Sequence, residues 1–170
     1  METLLRAGAK ADLTTCDGRD ALAHYLVAKP FLLDHEIVRM LLRYGANAEF
    51  KEDGSNLAHI LVRGWNEVSI EALHVLRNHE VSLDATDSHG RSILHCAAIA
   101  GTVSDELIVY LRGMIDPLAE DRYGKTALMY AQEKAREERN PNFYRSDRWK
   151  TAVACLNGIG ERPISTLREA

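Results

Sequence analysis

Apolar residues recur along this chain in short blocks at helical spacing, and polar turns holding a glycine separate the blocks. The clearest block runs from Asp87 to Gly101: Asp-Ser-His-Gly-Arg-Ser-Ile-Leu-His-Cys-Ala-Ala-Ile-Ala-Gly. A tight turn centred on Gly90 comes first, and Ser92 then stands where a hydroxyl caps a helix. Ile93, Leu94, Ala97 and Ala98 place a small apolar face on that helix, and Gly101 ends it.

The block has copies on both sides. Asp121-Arg-Tyr-Gly-Lys-Thr-Ala-Leu-Met-Tyr-Ala repeats it with Gly124 in the turn and Thr126 as cap. Asp17-Gly-Arg-Asp-Ala-Leu-Ala-His repeats it with Gly18 and Asp20, and Asp53-Gly-Ser-Asn-Leu-Ala-His is a weaker copy. Aligned on Leu22, Leu57, Leu94 and Leu128, the copies stand 35, 37 and 34 residues apart. Each is followed by a second helical stretch. After Asp34, a plausible N-cap, Ile37, Val38, Leu41 and Leu42 share a face, and Gly45 supplies a left-handed stop. Ala72, Leu73, Val75 and Leu76 form the next such stretch, and Leu107, Ile108, Val109 and Leu111 the one after. Each unit reads turn, helix, loop, helix. One such pair cannot bury its own apolar face, so the units are expected to stack.

This pattern resembles the ankyrin repeat, whose period is about 33 residues and whose signature is a turn with Gly followed by Thr-Pro-Leu-His-x-Ala. Leu94, His95, Ala97 and Ala98 match, with Ser92 for Thr and Ile93 for Pro. The resemblance covers roughly residues 4 to 157 and implies an all-α solenoid of stacked helix-turn-helix units with short β-hairpin-like turns. The array is expected over 1–160, with 161–170 a flexible tail. Leu4-Leu-Arg-Ala-Gly-Ala matches the end of a second helix, so the chain is expected to open inside a repeat, as a piece of a longer array or a truncated gene product, with Leu4 and Leu5 poorly covered.

Three irregularities follow from the spacing. The connector from Gly45 to Leu57 is shorter than that from Gly8 to Leu22, so its turn is expected to be short or collapsed. Gly64-Trp-Asn-Glu-Val-Ser-Ile lengthens a loop and places Trp65 in it. The first helix of the last unit is expected to run from Thr126 through Glu138, and a closing helix from Asp147 to Leu156, capped by Ser146 and stopped at Asn157-Gly158, with its Trp149 covering the end of the core.

Composition narrows the function. The net charge is −4 with Lys and Arg scattered, which disfavours a nucleic-acid or anionic-membrane binder. No apolar run approaches the ~20 residues that span a bilayer. Three widely spaced cysteines, Cys16, Cys96 and Cys155, favour a reducing intracellular compartment, cytoplasmic or nuclear, over a disulfide framework.

The seven histidines invite a metal or catalytic reading. His24 and His59 fall at matching leucine-relative places, but a metal site needs about four convergent ligands and no others are in register. The expectation for them is that they hydrogen-bond loop backbone or face solvent, and the resemblance implies for His95 that it ties adjacent loops together. His95 and Cys96, adjacent on a helix, point about 100° apart and do not form a Cys/His pair. No phosphate-loop spacing occurs. No enzyme, cofactor or metal is expected.

The resemblance implies a protein–protein interaction module, a segment of a larger scaffold or sensor, that binds through its turn tips and the exposed ends of its first helices. Carried onto this chain, the partner-binding candidates are Arg19, Ser88, His89, Arg91, Arg122, Tyr123 and Lys125 at tips, together with Trp65 in the lengthened loop; Val27, Val62, Arg63, Glu133 and Lys134 stand among the helix positions. Arg91, Arg122 and Lys125 together favour a protein partner with an acidic face. The alternative is a structural spacer or cap for an attached effector domain.

The pattern predicts that Leu94→Ala costs about 2–5 kcal/mol, the range for a leucine cavity, while Leu167→Ala in the tail costs almost nothing. Denaturant unfolding measures both; a loss at Leu94 below about 1 kcal/mol would remove it from the core.

Overall fold

The computed structural model describes residues 2–28, 33–64, 67–137 and 147–159. The described residues form nine helices: α1 (Glu2–Arg6), α2 (Ala21–Val27), α3 (His35–Arg43), α4 (Leu57–Val62), α5 (Ile70–Asn78), α6 (Ile93–Ala100), α7 (Asp105–Leu111), α8 (Ala127–Glu137) and α9 (Arg148–Asn157). Between α3 and α4, β1 (Lys51–Glu52) pairs antiparallel with β2 (Ser55–Asn56), Lys51 opposite Asn56 and Glu52 opposite Ser55. The fold of the described residues is therefore mostly helical, and none of these helices is long and apolar enough to cross a membrane.

Short polar side chains start the helices by taking the backbone N–H groups that the first turn leaves without partners. Asp20 accepts from Ala23, Asp34 from Glu36, and Asn56 from Ala58 and His59. Ser69 accepts from Ala72, Ser104 from Leu107 and Thr126 from Met129. Gly101 ends α6 in the left-handed conformation at φ +72. α9 has Asp147 at its N-cap, one residue inside the expected start, and its stop at Gly158 is right-handed. Ser146, Glu138, Trp65 and residues 161–170 lie outside the described residues.

The helices pack in two rows. α2, α4, α6 and α8 each contact the next in one row, and α3, α5, α7 and α9 do so in the other. Alanines make the first row close: Ala23, Ala58, Ala97, Ala98, Ala127 and Ala131 are all at or below 1% exposure. Leu22, Leu57, Ile93 and Leu94 complete its core, with Leu41, Leu73, Leu76 and Leu107 from the second row. At the start, Leu5 is buried while Leu4 is 68% exposed, so only one of that pair matches the expected poor cover. At the far end Trp149 donates its indole N–H to the Ile99 carbonyl at 3.2 Å and sits against Gly101, covering the end of α6.

One expectation is narrowed and one corrected. The turn of the second connector is short and not collapsed; among the described residues this connector alone forms a β ladder. Asp53 (φ +50) and Gly54 (φ +77) both take positive φ, as a tight two-residue hairpin turn requires, and a shorter connector suits such a turn. The leucine alignment is also one residue out in the second unit. The helix caps Asp20, Asn56, Ser92 and Thr126, like the turn glycines Gly18, Gly54, Gly90 and Gly124, are spaced 36, 36 and 34 residues apart. In this register His59 matches His95, three residues beyond its cap, and not His24.

Gly54 has a second constraint. A Cβ there would lie 2.5 Å from the Ser88 nitrogen and 3.1 Å from the Asp87 carbonyl carbon, both backbone atoms of the next turn. Gly18 has almost the same φ, +76, with nothing within 4 Å. Gly18→Ala should therefore show only the left-handed backbone cost, ~1–2 kcal/mol, and Gly54→Ala a distinctly larger loss. Denaturant midpoints of the two variants check this; equal losses would mean that the neighbouring turn does not press on Gly54.

Candidate functional site

The turns before the first-row helices lie side by side, and one pattern builds three of them. The N–H of Thr15, Asp87 and Asp121 donates to the carbonyl four residues on, at Arg19, Arg91 and Lys125. The N–H of Gly18, Gly90 and Gly124 closes the same turn from the other side. In the third and fourth connectors a buried carboxylate fills the turn. Asp87 accepts from the N–H groups of His89 (2.8 Å) and Arg91 (3.0 Å). Asp121 accepts from those of Tyr123 (2.8 Å) and Lys125 (3.0 Å), and from the Tyr130 hydroxyl at 2.6 Å.

Successive turns are joined by main-chain bonds. Ser88 N–H donates to the Asp53 carbonyl (3.3 Å), and Arg122 N–H to the His89 carbonyl (3.0 Å). Deeper ties run beneath them. Asp20 accepts from Asn47 N–H at 2.6 Å, and the Asn56 amide donates to the Ser82 carbonyl at 2.7 Å. His59 Nε2 faces the Arg91 carbonyl at 3.1 Å, and His95 Nε2 faces that of Lys125 at 3.0 Å. Ser92 N–H donates to His95 Nδ1, so the ring hydrogen of His95 sits on Nε2 and donates across the junction. Burial is the largest influence on the His59 pKa and holds it below the ordinary value, against the upward pull of the Arg91 carbonyl and Asp87.

The candidate residues divide on this frame. His89 and Tyr123 come together, their rings stacked at 6.0 Å with 29° between planes. Tyr123 is 64% exposed, and Arg122 beside it is exposed with no ion pair among the described residues. Ser88 is exposed, its hydroxyl 3.2 Å from His89 Nδ1. The other cations are engaged within the chain. Arg19 bridges Asp17 and Glu52, which links the first and second turns. Arg91 grips Asp87 through Nε (2.8 Å) and a terminal nitrogen (2.7 Å). Lys125 meets both Glu133 oxygens at 2.8 Å and lies over the Tyr130 ring. Of the three cations expected to make this end of the groove positive, Arg91, Arg122 and Lys125, only Arg122 has no ion pair among the described residues. Of the helix positions, Val62 is fully buried, Glu133 is the partner of Lys125, and Lys134 pairs with Glu137.

No protein-family model matches the chain, and no curated protein matches it. Among the described residues no three or more His, Cys, Asp or Glu side chains are grouped to hold a metal ion. Cys96 is 1% exposed, and burial pushes its thiol pKa up, away from the reactive thiolate. At the other end of the first-row helices, an open groove of about 860 Å³ runs between the starts of α3, α5, α7 and α9, lined by Leu33, Val68, Ile70, Val103 and Arg148 among others.

The residues themselves allow Asp87, Glu120 and Asp121 to neutralise the patch of tip cations locally, and Asp87 does pair with Arg91; sequence reasoning missed Glu52 and Glu133 as acceptors. Asp87 and Asp121 stand three residues before the turn glycines and four before Arg91 and Lys125, a spacing that marks a carboxylate closing its own turn. Glu52 and Glu133 are 33 and 8 residues from their partners and carried no local signal.

Burial pushes the Asp87 pKa up, but the Arg91 side chain and the two turn N–H groups outweigh it and hold the carboxyl below its ordinary value. A depressed carboxylate contributes stability that is full above the unfolded value near 3.8 and is lost as pH falls through the folded value. Asp87→Ala should remove that acid-labile component and leave two guanidiniums without their acceptor. The expected loss at pH 7 is about 2–4 kcal/mol, under the ~3–5 of a fully buried pair, because the Arg91 and Arg63 side chains stay 22% and 35% exposed. Unfolding at pH 7 and at pH 3 checks both; an unchanged midpoint at pH 7 would refute the organising role of Asp87.

Proposed function

We propose that this chain is an ankyrin-repeat solenoid that acts as a protein–protein interaction module, a segment of a larger intracellular scaffold or sensor. The repeat reading draws on caps and turn glycines recurring at 36, 36 and 34 residues, on the two helix rows, and on paired histidines that bond successive turns. The observation that carries the binding reading is the surface at the third and fourth tips, where the exposed Tyr123 stacks on His89 beside Arg122. Tyr and Arg are the types that dominate binding energy at interfaces, and a stacked ring loses little freedom on contact.

An acidic face remains the favoured partner. Arg122 supplies the steering charge, and Lys125, tied to Glu133, contributes less than its formal charge suggests. A spacer or cap without a partner of its own is the second reading. It draws on the internal pairing of Arg19, Arg91 and Lys125, which leaves the other tips electrostatically quiet.

The test begins with a protein captured by the immobilised chain and identified by mass spectrometry. Its affinity is then measured for Arg122→Ala, Tyr123→Ala and Lys125→Ala across a salt series. Arg122→Ala and Tyr123→Ala should each weaken binding by more than about 1 kcal/mol, with the Arg122 effect fading as salt rises, and Lys125→Ala by less. Unchanged affinity in all three folded variants would move the site elsewhere, first to the segment bearing Trp65.

A further inference from the structure

The edge of the molecule opposite the tips holds the groove of about 860 Å³ between the starts of α3, α5, α7 and α9. Its floor is apolar. Leu33, Val68 and Ile70 are half-buried against the core, and the buried Val103 completes it. The hydroxyls that line it are engaged within the chain. Thr102 donates to the Val62 carbonyl at 2.6 Å and Thr151 to that of Asp147 at 3.2 Å. Ser69 accepts from Ala72 N–H and donates to Glu71, and Ser104 accepts from Leu107 N–H. Hydroxyl hydrogen bonding therefore does not select an occupant here; apolar contact and charge do.

Charge is uneven along the groove. Glu67, Glu71 and Glu106 line the stretch from α3 to α7, and all three are exposed. None of them has an ion pair with a lysine or arginine among the described residues. Among the described lining residues the one such cation is Arg148, at the α9 end, where its guanidinium lies 4.3 Å from the Trp149 ring. His35 is taken up by Glu36 at 3.3 Å. A helix start carries about half a positive charge. Asp34 and Glu36 answer that of α3. The starts of α5 and α7 together offset about one of the three carboxylates, which leaves a surplus of about two negative charges over an apolar floor.

We infer that this groove is a second docking surface, which takes a basic amphipathic segment of a protein partner: apolar side chains against Val68 and Ile70, and a lysine or arginine against Glu67, Glu71 and Glu106. A long cationic side chain suits both features, because its methylene stem covers apolar wall while its head reaches the carboxylates at the rim. An acidic segment meets like charge and is turned away. The surface is the chemical reverse of the tips, where Arg122 favours an acidic face. It lies at the other end of the first-row helices, so the two are open at once, and nothing in it depends on Arg122 or Tyr123.

The experiment uses the whole chain and three fluorescein-labelled, end-capped nonapeptides: leucine alternating with lysine, leucine alternating with glutamate, and glycine alternating with lysine. Anisotropy at low salt should show the leucine–lysine peptide binding at least about tenfold tighter than either control. On its addition, NMR amide shifts should move at Val68, Ile70 and Val103 and stay in place at Arg122 and Tyr123. Glu67→Gln and Glu106→Gln remove exposed carboxylates that have no ion pair to lose, so both variants keep the fold. Each should weaken binding about two- to fivefold at low salt, with the effect fading as salt rises. Glu49→Gln, an exposed carboxylate outside the groove, should leave it unchanged. No binding of the leucine–lysine peptide, equal binding of the leucine–glutamate one, shifts that fall outside the groove, or unchanged affinity in both groove variants would overturn the inference.

Discussion

The interaction on which this structure depends is the hydrogen bond passed from one turn to the next. A short helix pair has too little apolar surface to hold itself together, so each pair must lie against a neighbour at a set distance and rotation. Alanines let the first-row helices approach closely but do not set their register, because a small flat face can slide. The turns supply register. Ser88 reaches Asp53, Arg122 reaches His89, and His59 and His95 bond the carbonyls of Arg91 and Lys125. Gly54 shows how tight that contact is, since its missing side chain leaves just enough room for the backbone of the next turn.

The same bonds account for the charge distribution at the tips. A turn that buries a carboxylate needs donors, and the nearest are its own backbone and the cation four residues on. Asp87 therefore engages Arg91 and Arg63, and Asp121 takes two backbone N–H groups and the Tyr130 hydroxyl, whose pKa burial and the carboxylate push up to about 12. A tip rich in Lys and Arg in sequence thus presents much less positive charge to solvent. What it presents is shape: the His89–Tyr123 stack beside Arg122.

The unit architecture and the helix starts were legible in the residues themselves. Glycine at the turn, a short polar cap two residues later and apolar positions at helical spacing are local requirements, satisfied within about ten residues, so Asp20, Asp34 and Thr126 cap where the pattern puts them. The exposed tip residues Ser88, Arg122 and Tyr123 were legible for the same reason. Register in the second unit was not, because Leu57 imitates the second helical position while standing at the first, and only the cap bonds of Asn56 separate the two.

Pairing across units was decided by tertiary structure alone. Glu52 meets Arg19 and His59 meets Arg91 because stacking brings positions 33 and 32 residues apart into contact, and no local pattern carries that distance. Which cations stay open to solvent follows from those contacts. Sequence determined the repeating unit, since helix caps and turn glycines act on their own neighbours. Stacking determined the surface, since charge and hydrogen bonding depend on whatever group lies opposite.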